Sequence, residues 1–193
     1  PRGGGHFSGR VTAGLVAAGA IFQQILSEHG VTLGTHVKSC QDIADRPFAW
    51  DRLGEDLASL LSPGFPVLDE TARRRMLLAI EAAQSEGDSL GAVLETAVLG
   101  LPAGIGEPFF HSVESEISHL LFSIPAVKGV AFGLGFGFAH GAGSQLNDSF
   151  AALAPGRAVT RTNHNGGVNG GITNGMPVVF STAVKPTPSI YKE

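Results

Sequence analysis

Cysteine is nearly missing: Cys40 is the only one in 193 residues. A lone thiol cannot close an internal disulfide, which excludes a disulfide-stapled secreted scaffold. An excess of positive charge is missing too. Thirteen Lys and Arg stand against 17 Asp and Glu, for a net charge of −4, so no nucleic-acid partner is expected. No uninterrupted apolar run reaches the roughly 18 residues of a membrane span, so no membrane partner is expected either. The opening Pro1-Arg2-Gly3-Gly4-Gly5-His6 has no apolar stretch behind a basic start and does not read as a signal peptide. A cytoplasmic location is the expectation. There is no initiator Met and both ends look cut, so the reading is of one domain core over residues 1–193 taken from a longer chain.

What is present is apolar content and glycine. Hydrophobic residues make up 43% and charged residues 16%, enough to bury a sizeable core. The 27 glycines gather between Gly3 and Gly9, Gly129 and Gly143, and Gly156 and Gly175. Glycine clusters permit positive φ and close approach of backbone to a ligand.

Periodicity places a helix over Val11–His29, capped by Ser8 and closed by Gly30. One side of it is thin (Ala13, Gly14, Ala17, Gly19, Ala20), which predicts close packing against another element. Val31–Val37 reads as a strand and 39–66 as irregular, with Pro47, Pro63 and Pro66 as breakers. Asp69 caps a helix over Glu70–Ser85, ended by Gly87. Ala92–Leu99 reads as a strand, Ser112 caps a helix running to Phe122, and Val127–Phe138 and Met176–Val184 read as strands. Residues 139–175 read as the longest irregular region, of a length that favours function. The class is α+β.

Three segments could carry chemistry. Gly3 to Thr12 runs glycines into a helix start, with Ser8 and Arg10 at the junction. Free N–H groups, a hydroxyl and a guanidinium there suit a phosphate or carboxylate. Thr162 to Gly175 sets two Gly-Gly pairs among Asn, Thr and His, which suits a polar ligand as well as it suits a surface loop. Lys185-Pro186-Thr187-Pro188-Ser189 is a stiff polar exit from an apolar strand. The histidines lack metal spacing: His111 and His119 are eight apart, and His29 and His36 have no visible partners. Cys40 lacks the context of a nucleophile. The glycines of Gly133 to Gly137 read as a strand packed closely, and Arg73-Arg74-Arg75 as a solvated helix face.

Taken in order, these segments form a pattern that resembles the chorismate synthase family. It includes Gly3-Gly4-Gly5-His6-Phe7-Ser8-Gly9-Arg10-Val11-Thr12-Ala13, Gly87-Asp88-Ser89-Leu90-Gly91 and Gly104-Ile105-Gly106-Glu107-Pro108. It continues with Ser123-Ile124-Pro125-Ala126-Val127-Lys128-Gly129-Val130 and Gly143-Ser144-Gln145. Asn163-His164-Asn165-Gly166-Gly167, Gly170 to Gly175 and Lys185 to Ser189 complete it. Each motif is weak alone; the ordered set covers essentially the whole chain.

The resemblance implies a β-α-β sandwich with helices between antiparallel sheets, assembled as a homotetramer. It implies a lyase that converts 5-enolpyruvylshikimate 3-phosphate to chorismate and phosphate by 1,4-anti elimination, with reduced FMN and no net redox change. NADPH enters where flavin reduction is intrinsic, which this stretch leaves open. Flavin contacts would fall on His6, Phe7, Ser8, Pro125, Ala126, Gly170 and Lys185, Pro186, Thr187, Pro188 and Ser189, and the substrate contact on Arg10. Many family members carry Arg-Ser-Ser where this chain has His6-Phe7-Ser8, Glu at Val11 and Asn at Pro125. The family's catalytic histidines lie upstream of the glycine-rich segment and its Arg–Asp pair lies downstream of Lys185 to Ser189. No catalytic acid or base is therefore assigned in this chain. The rival readings are a non-catalytic phosphate- or nucleotide-binding module, resting on Ser8 and Arg10, and a structural oligomerisation core, resting on the small-residue helix faces.

Overall fold

A computed structural model describes residue 5, residues 8–154 and residues 157–192, with backbone only for 153, 154, 157 and 158. After a short 3-10 turn at Gly9–Thr12, the chain forms α1 (Ala13–Glu28), β1 (Thr32–Cys40), β2 (Ile43–Ala44), α2 (Leu53–Ser59), α3 (Glu70–Ser85) and β3 (Ala92–Leu99). It continues through α4 (Val113–Ser123), β4 (Val127–Phe132), α5 (Gly143–Leu146), β5 (Phe150–Ala154), β6 (Arg157–Thr160), β7 (Val168–Asn169), β8 (Ile172–Thr173) and β9 (Val178–Val184). An antiparallel sheet of order β2-β1-β3-β9-β4 carries the fold, and β5-β6 and β7-β8 are small two-stranded ribbons. The α+β class is as the sequence indicates.

Side chains alternate across a strand, so the sheet has two faces to cover. On one face Ala97 and Val179 pack under Leu53 and Leu57 of α2 and under Phe48. Gly34 lies opposite Ala97, and a Cβ there would stand 3.0 Å from the Leu57 side chain; its absence lets α2 approach. On the other face Val37 and Cys40 pack under Ala72 and Met76 of α3. Val178 and Phe180 pack there under Val113 of α4. Val37 and Cys40 are three positions apart, an odd spacing that would put them on opposite faces, yet both meet α3. A bulge makes this possible: Val37 pairs with Leu94 and Ser39 with Val93, which leaves Lys38 as the extra residue.

The caps behave as the sequence predicts. Asp69 accepts from the Ala72 amide at 2.8 Å, and Ser112 accepts from the Ser115 amide at 3.1 Å. Ser8 accepts from the Arg10 amide at 3.3 Å, capping the 3-10 turn that leads into α1. Gly30 takes φ +74° and turns the chain from α1 toward β1.

Four expectations are corrected. The irregular stretch 39–66 contains α2, because Leu53 and Leu57, four apart, find Ala97 and Val179 to cover. The strand from Val127 stops at Phe132, because Gly133 and Gly135 take φ +54° and +52° and turn the chain into a 3-10 helix at Gly135–His140. Residues 139–175 are not one loop but carry α5 and both ribbons. The thin face of α1 meets no close partner: no residue of α1 is buried, and Leu15, Val16, Ile21 and Phe22 are all more than half exposed. The helical run Gly9–Glu28, 20 residues, is long and apolar enough by length and composition to cross a membrane, although Gln23 and Gln24 interrupt its apolar sequence.

A buried polar layer ties the sheet to the segment before α3. Both ring nitrogens of His36, which is 0% exposed, face carboxylates: Nδ1 lies 2.7 Å from Asp45 Oδ2 and Nε2 lies 3.2 Å from Glu95 Oε2. Asp45 also accepts from the amides of Arg46, Leu68 and Asp69. Nearby, Arg46 grips Asp56 of α2 with two nitrogens at 3.0 and 2.6 Å, and Asp56 also accepts from the Ala49 amide at 2.8 Å.

Two predictions follow from the packing. Met76 is fully buried, so Met76→Ala should cost about 2–5 kcal/mol of unfolding free energy, read from urea midpoints. The Arg46 hydrogen bonds hold the Asp56 carboxyl below its usual range despite burial. A depressed folded-state value means stability that is present above the unfolded value of 3.8 and lost as pH falls through the folded one. The stability gap between the native chain and Asp56→Asn should therefore be largest near neutrality and shrink below about pH 4; an unchanged gap down to pH 3, about a unit below the ordinary carboxylate value, would refute this.

Candidate functional site

The residues singled out in the sequence fall into three places. Pro125 and Ala126 form the turn from α4 into β4, and Ala126 has φ +74°. Its carbonyl accepts from the Lys185 amide at 2.9 Å, which extends the Val127–Val184 pairing of β4 with β9. The structure thus brings Pro125 and Ala126 beside Lys185, at one end of the sheet. Lys185, Pro186, Thr187, Pro188 and Ser189 are all exposed there.

The loop 87–91, noticed in the sequence only as part of a pattern, supports that end. Ser89 Oγ donates to the Thr187 carbonyl at 2.7 Å, and the Tyr191 amide donates to the Gly87 carbonyl at 2.8 Å. A Cβ on Gly91 would stand 2.8 Å from the Val184 carbonyl oxygen and 2.9 Å from Pro186 Cδ, so only glycine fits against the strand exit.

Gly170 lies elsewhere, exposed in the turn of the β7-β8 ribbon at φ +58°. The next carbonyl, that of Gly171, accepts from the Val113 amide at 3.0 Å, so this ribbon sits at the start of α4 rather than its end. Val113 packs on Val178, the first residue of β9. Six strand steps, about 20 Å, separate that end from Val184. Ser8 and Arg10 sit at the start of the exposed α1, and no side-chain hydrogen bond joins them to either place among the described residues. His6 and Phe7 lie outside the described residues.

A cavity of about 1040 Å³ opens on the α2 face of the sheet. Lys38, Glu95, Leu99 and Val179 form its floor; Trp50 and Arg52 border it from the turn before α2, and Arg161, Asn163 and His164 from the glycine-rich segment. Lys38, the bulged residue, points its ammonium at Glu95 at 2.6 Å. Burial alone would raise the Glu95 carboxyl, but hydrogen bonds from His36 and Lys38 outweigh it and hold the group below the usual carboxylate range. Sequence reasoning missed this wall. Lys38, Trp50, Glu95 and Arg161 are far apart in the chain and share no motif, so no local signal marks them. It also gave His36 no partner, where the fold supplies two.

The glycine-rich segment is ordered around one carboxylate. Asp148 accepts from Thr162 Oγ1 at 2.6 Å and from the amides of His164 and Asn165 at 2.7 and 2.8 Å. Burial would raise its carboxyl, yet these donors hold it low. His164 Nδ1 lies 3.0 Å from the Leu146 carbonyl, a contact that orients the ring. Gly133 and Gly166 approach each other so closely that a Cβ on either would collide with backbone. The close packing expected of the glycines at 133–137 is real at Gly133, although in a turn rather than a strand.

Other candidates reduce to structure. Cys40 is buried among the apolar residues beneath α3, and burial pushes its thiol up, away from reactivity. His111 pairs with Glu116 at 2.6 Å on the surface, and that partner raises its imidazole. No cluster of three metal-ligating side chains occurs among the described residues.

Comparison with known proteins decides the family. The family model described as chorismate synthase matches residues 1–193. The chain belongs to the chorismate synthase family. A chorismate synthase of Pyrococcus abyssi is 43% identical over 190 residues, which is 98% of this chain and 51% of that protein. One from Dehalococcoides mccartyi is 46% identical over 191 residues, again 98% and 51%. A crystal structure of chorismate synthase superposes with a TM-score of 0.84 at 31% identity, covering 94% of this chain and 56% of that one. The chain spans about half the length of the chorismate synthases it matches.

Asp148→Ala should free the Arg161–Asn165 border of the cavity without touching the sheet. Hydrogen exchange at the His164 and Asn165 amides should rise at least about tenfold while β3 amides keep their protection, since unmaking such bonds costs about 1–3 kcal/mol locally.

Proposed function

We propose that this chain is the central part of a working chorismate synthase. The whole enzyme eliminates phosphate from 5-enolpyruvylshikimate 3-phosphate in the 1,4-anti sense to give chorismate, using reduced FMN. Membership of the family over the whole chain supports this lyase reading. The observation that carries the cofactor assignment is the junction of Pro125 and Ala126 with Lys185 to Ser189. Two stretches 60 residues apart in sequence, both expected at the flavin, are held side by side through the Lys185–Ala126 hydrogen bond.

The residues present fit such a ligand in part. The exposed Lys185 ammonium and the Thr187 and Ser189 hydroxyls offer charge and donors to a flavin's phosphate or carbonyls. Prolines 186 and 188 stiffen the run, so little ordering cost remains on binding. Pro125 has no side-chain donor, so the Asn amide common in relatives is not replaced there. The chemistry reduced FMN supplies when bound is transient electron density for phosphate loss, with no net oxidation. Arg10 is assigned to a substrate carboxylate or phosphate, and Ser8 to the flavin, with His6 and Phe7. Gly170, about 20 Å away along the sheet, joins this site through another subunit of the proposed homotetramer. NADPH is assigned only to flavin reduction. The proposed location is cytoplasmic, with neither nucleic acid nor membrane as partner. In the whole enzyme the bare face of α1 packs against the polypeptide that the relatives have beyond this stretch.

The experiment is an anaerobic assay with reduced FMN and 5-enolpyruvylshikimate 3-phosphate, following chorismate by absorbance. A full-length enzyme carrying this chain should turn over. The 193 residues alone should show no steady turnover, because acid–base groups contribute about 10²–10⁴ each in rate and none is assigned here. Turnover by the isolated chain would overturn the assignment of the catalytic groups to other segments. Inactivity of both, with ATP binding retained, would favour a nucleotide-binding module.

A further inference from the structure

The cavity over the α2 face is not part of the flavin end. It runs from Lys38 and Glu95, beside Ser181 in the middle of β9, to Leu99, Gly133 and Val179, whereas Lys185 to Ser189 continue β9 beyond Val184 at its opposite end. At about 1040 Å³ it has the capacity of a small-molecule site. Leu99 and Val179, both on strands, make part of its floor apolar, beside the Lys38–Glu95 pair. Trp50, 54% exposed, stands at its edge.

The charges around it are uneven. Three cations, Lys38, Arg52 and Arg161, border the cavity against two carboxylates, Asp51 and Glu95, in a chain whose net charge is −4. Lys38 is neutralised by Glu95 at 2.6 Å. Arg52 and Arg161 have no side-chain hydrogen bond or ion pair among the described residues. Each is exposed, and its backbone is held locally. Arg52 sits in the 3-10 turn that also carries Trp50. Arg161 directly follows β6, and its amide donates to the Ser149 carbonyl at 2.9 Å.

We propose that this cavity is a second ligand site, distinct from the flavin end, for a small ring carboxylate. A planar guanidinium fork matches a carboxylate in two-point geometry. The indole of Trp50 and the Leu99–Val179 floor supply an apolar surface for a ring. A compact inorganic anion would satisfy the arginines but leave that floor in water. A neutral ring would do the reverse.

Trp50 is the single tryptophan of the chain, so tryptophan emission comes from the edge of this cavity. The test titrates the chain with benzoate, cyclohexanecarboxylate, benzyl alcohol and inorganic phosphate, following emission and checking each binding by calorimetry. Both ring carboxylates should give a saturable change. Benzyl alcohol and phosphate should each bind at least about tenfold more weakly, as should benzoate to Arg161→Ala or Arg52→Ala, the loss of one charge-assisted pair. Both arginines are exposed, and a cooperative thermal melt will show that each variant is folded. Lys185→Ala should bind benzoate as the parent does. No saturable change in a chain that melts cooperatively would overturn the proposal. So would equal binding by phosphate, or loss of binding in Lys185→Ala, which would place the ligand at the flavin end.

Discussion

The fold depends on one buried constraint: His36 must be flanked by carboxylates on both sides. An imidazole with no exposure cannot leave either nitrogen unpaired without a desolvation cost of about 1–3 kcal/mol. Asp45 meets one nitrogen and Glu95 the other. Asp45 comes from the segment following β2, Glu95 from the neighbouring strand β3, and the Asp45 carboxylate reaches on to the amides of Leu68 and Asp69. One side chain thereby sets the β1–β3 edge, the path between β2 and α3, and the start of α3, where Asp69 caps. Glu95 passes the constraint outward to Lys38, whose ammonium ends on the cavity. The interior polar network and the accessible cavity are one connected system.

Around that network the two faces of the sheet serve different ends. The face under α3 and α4 is filled with Val, Phe, Met and Cys and behaves as ordinary core. The face under α2 is only partly covered. It keeps a small apolar cluster at Phe48, Leu53 and Leu57 and leaves the remainder of the sheet under the cavity. The bulge at Lys38 is what divides these roles, since it keeps Val37 and Cys40 on the core side and sends Lys38 to the other. The end of the sheet proposed for the flavin is built differently again, from strand exits and turns locked by backbone bonds, with glycine at position 91 where a Cβ would collide.

Much was legible from the residues because much of it is local. A cap needs only a short polar side chain three positions before a free amide, so Asp69 and Ser112 could be read directly. Glycines 30 and 87 lie where helices end because positive φ is nearly free for glycine alone. β3 and β9 are largely apolar runs, interrupted only by Glu95-Thr96 and Ser181-Thr182, with turn residues at their ends. The family itself was legible as an ordered set of segments, since the order of motifs along a chain is itself a sequence property. The approach of Pro125 and Ala126 to Lys185 was legible only through that resemblance.

Tertiary structure decided what depends on distant partners. α2 is short and has weak periodicity; it is helical because Leu53 and Leu57 find Ala97 and Val179. The strand after Val127 stops at Phe132 because Gly133 must press against His164 and Gly166. His36 reads as a lone histidine until the pairing of β1 with β3 sets Glu95 across from it. The cavity needs residues from positions 38 to 179, which no periodicity links. The sequence by itself determined the local conformations, the family and the ends of most elements, since those rest on backbone preference and on short-range hydrogen bonds. Which polar side chains share a buried space, and which face of the sheet stays open, depends on pairing register and on contacts across many tens of residues, and only the folded chain decides it.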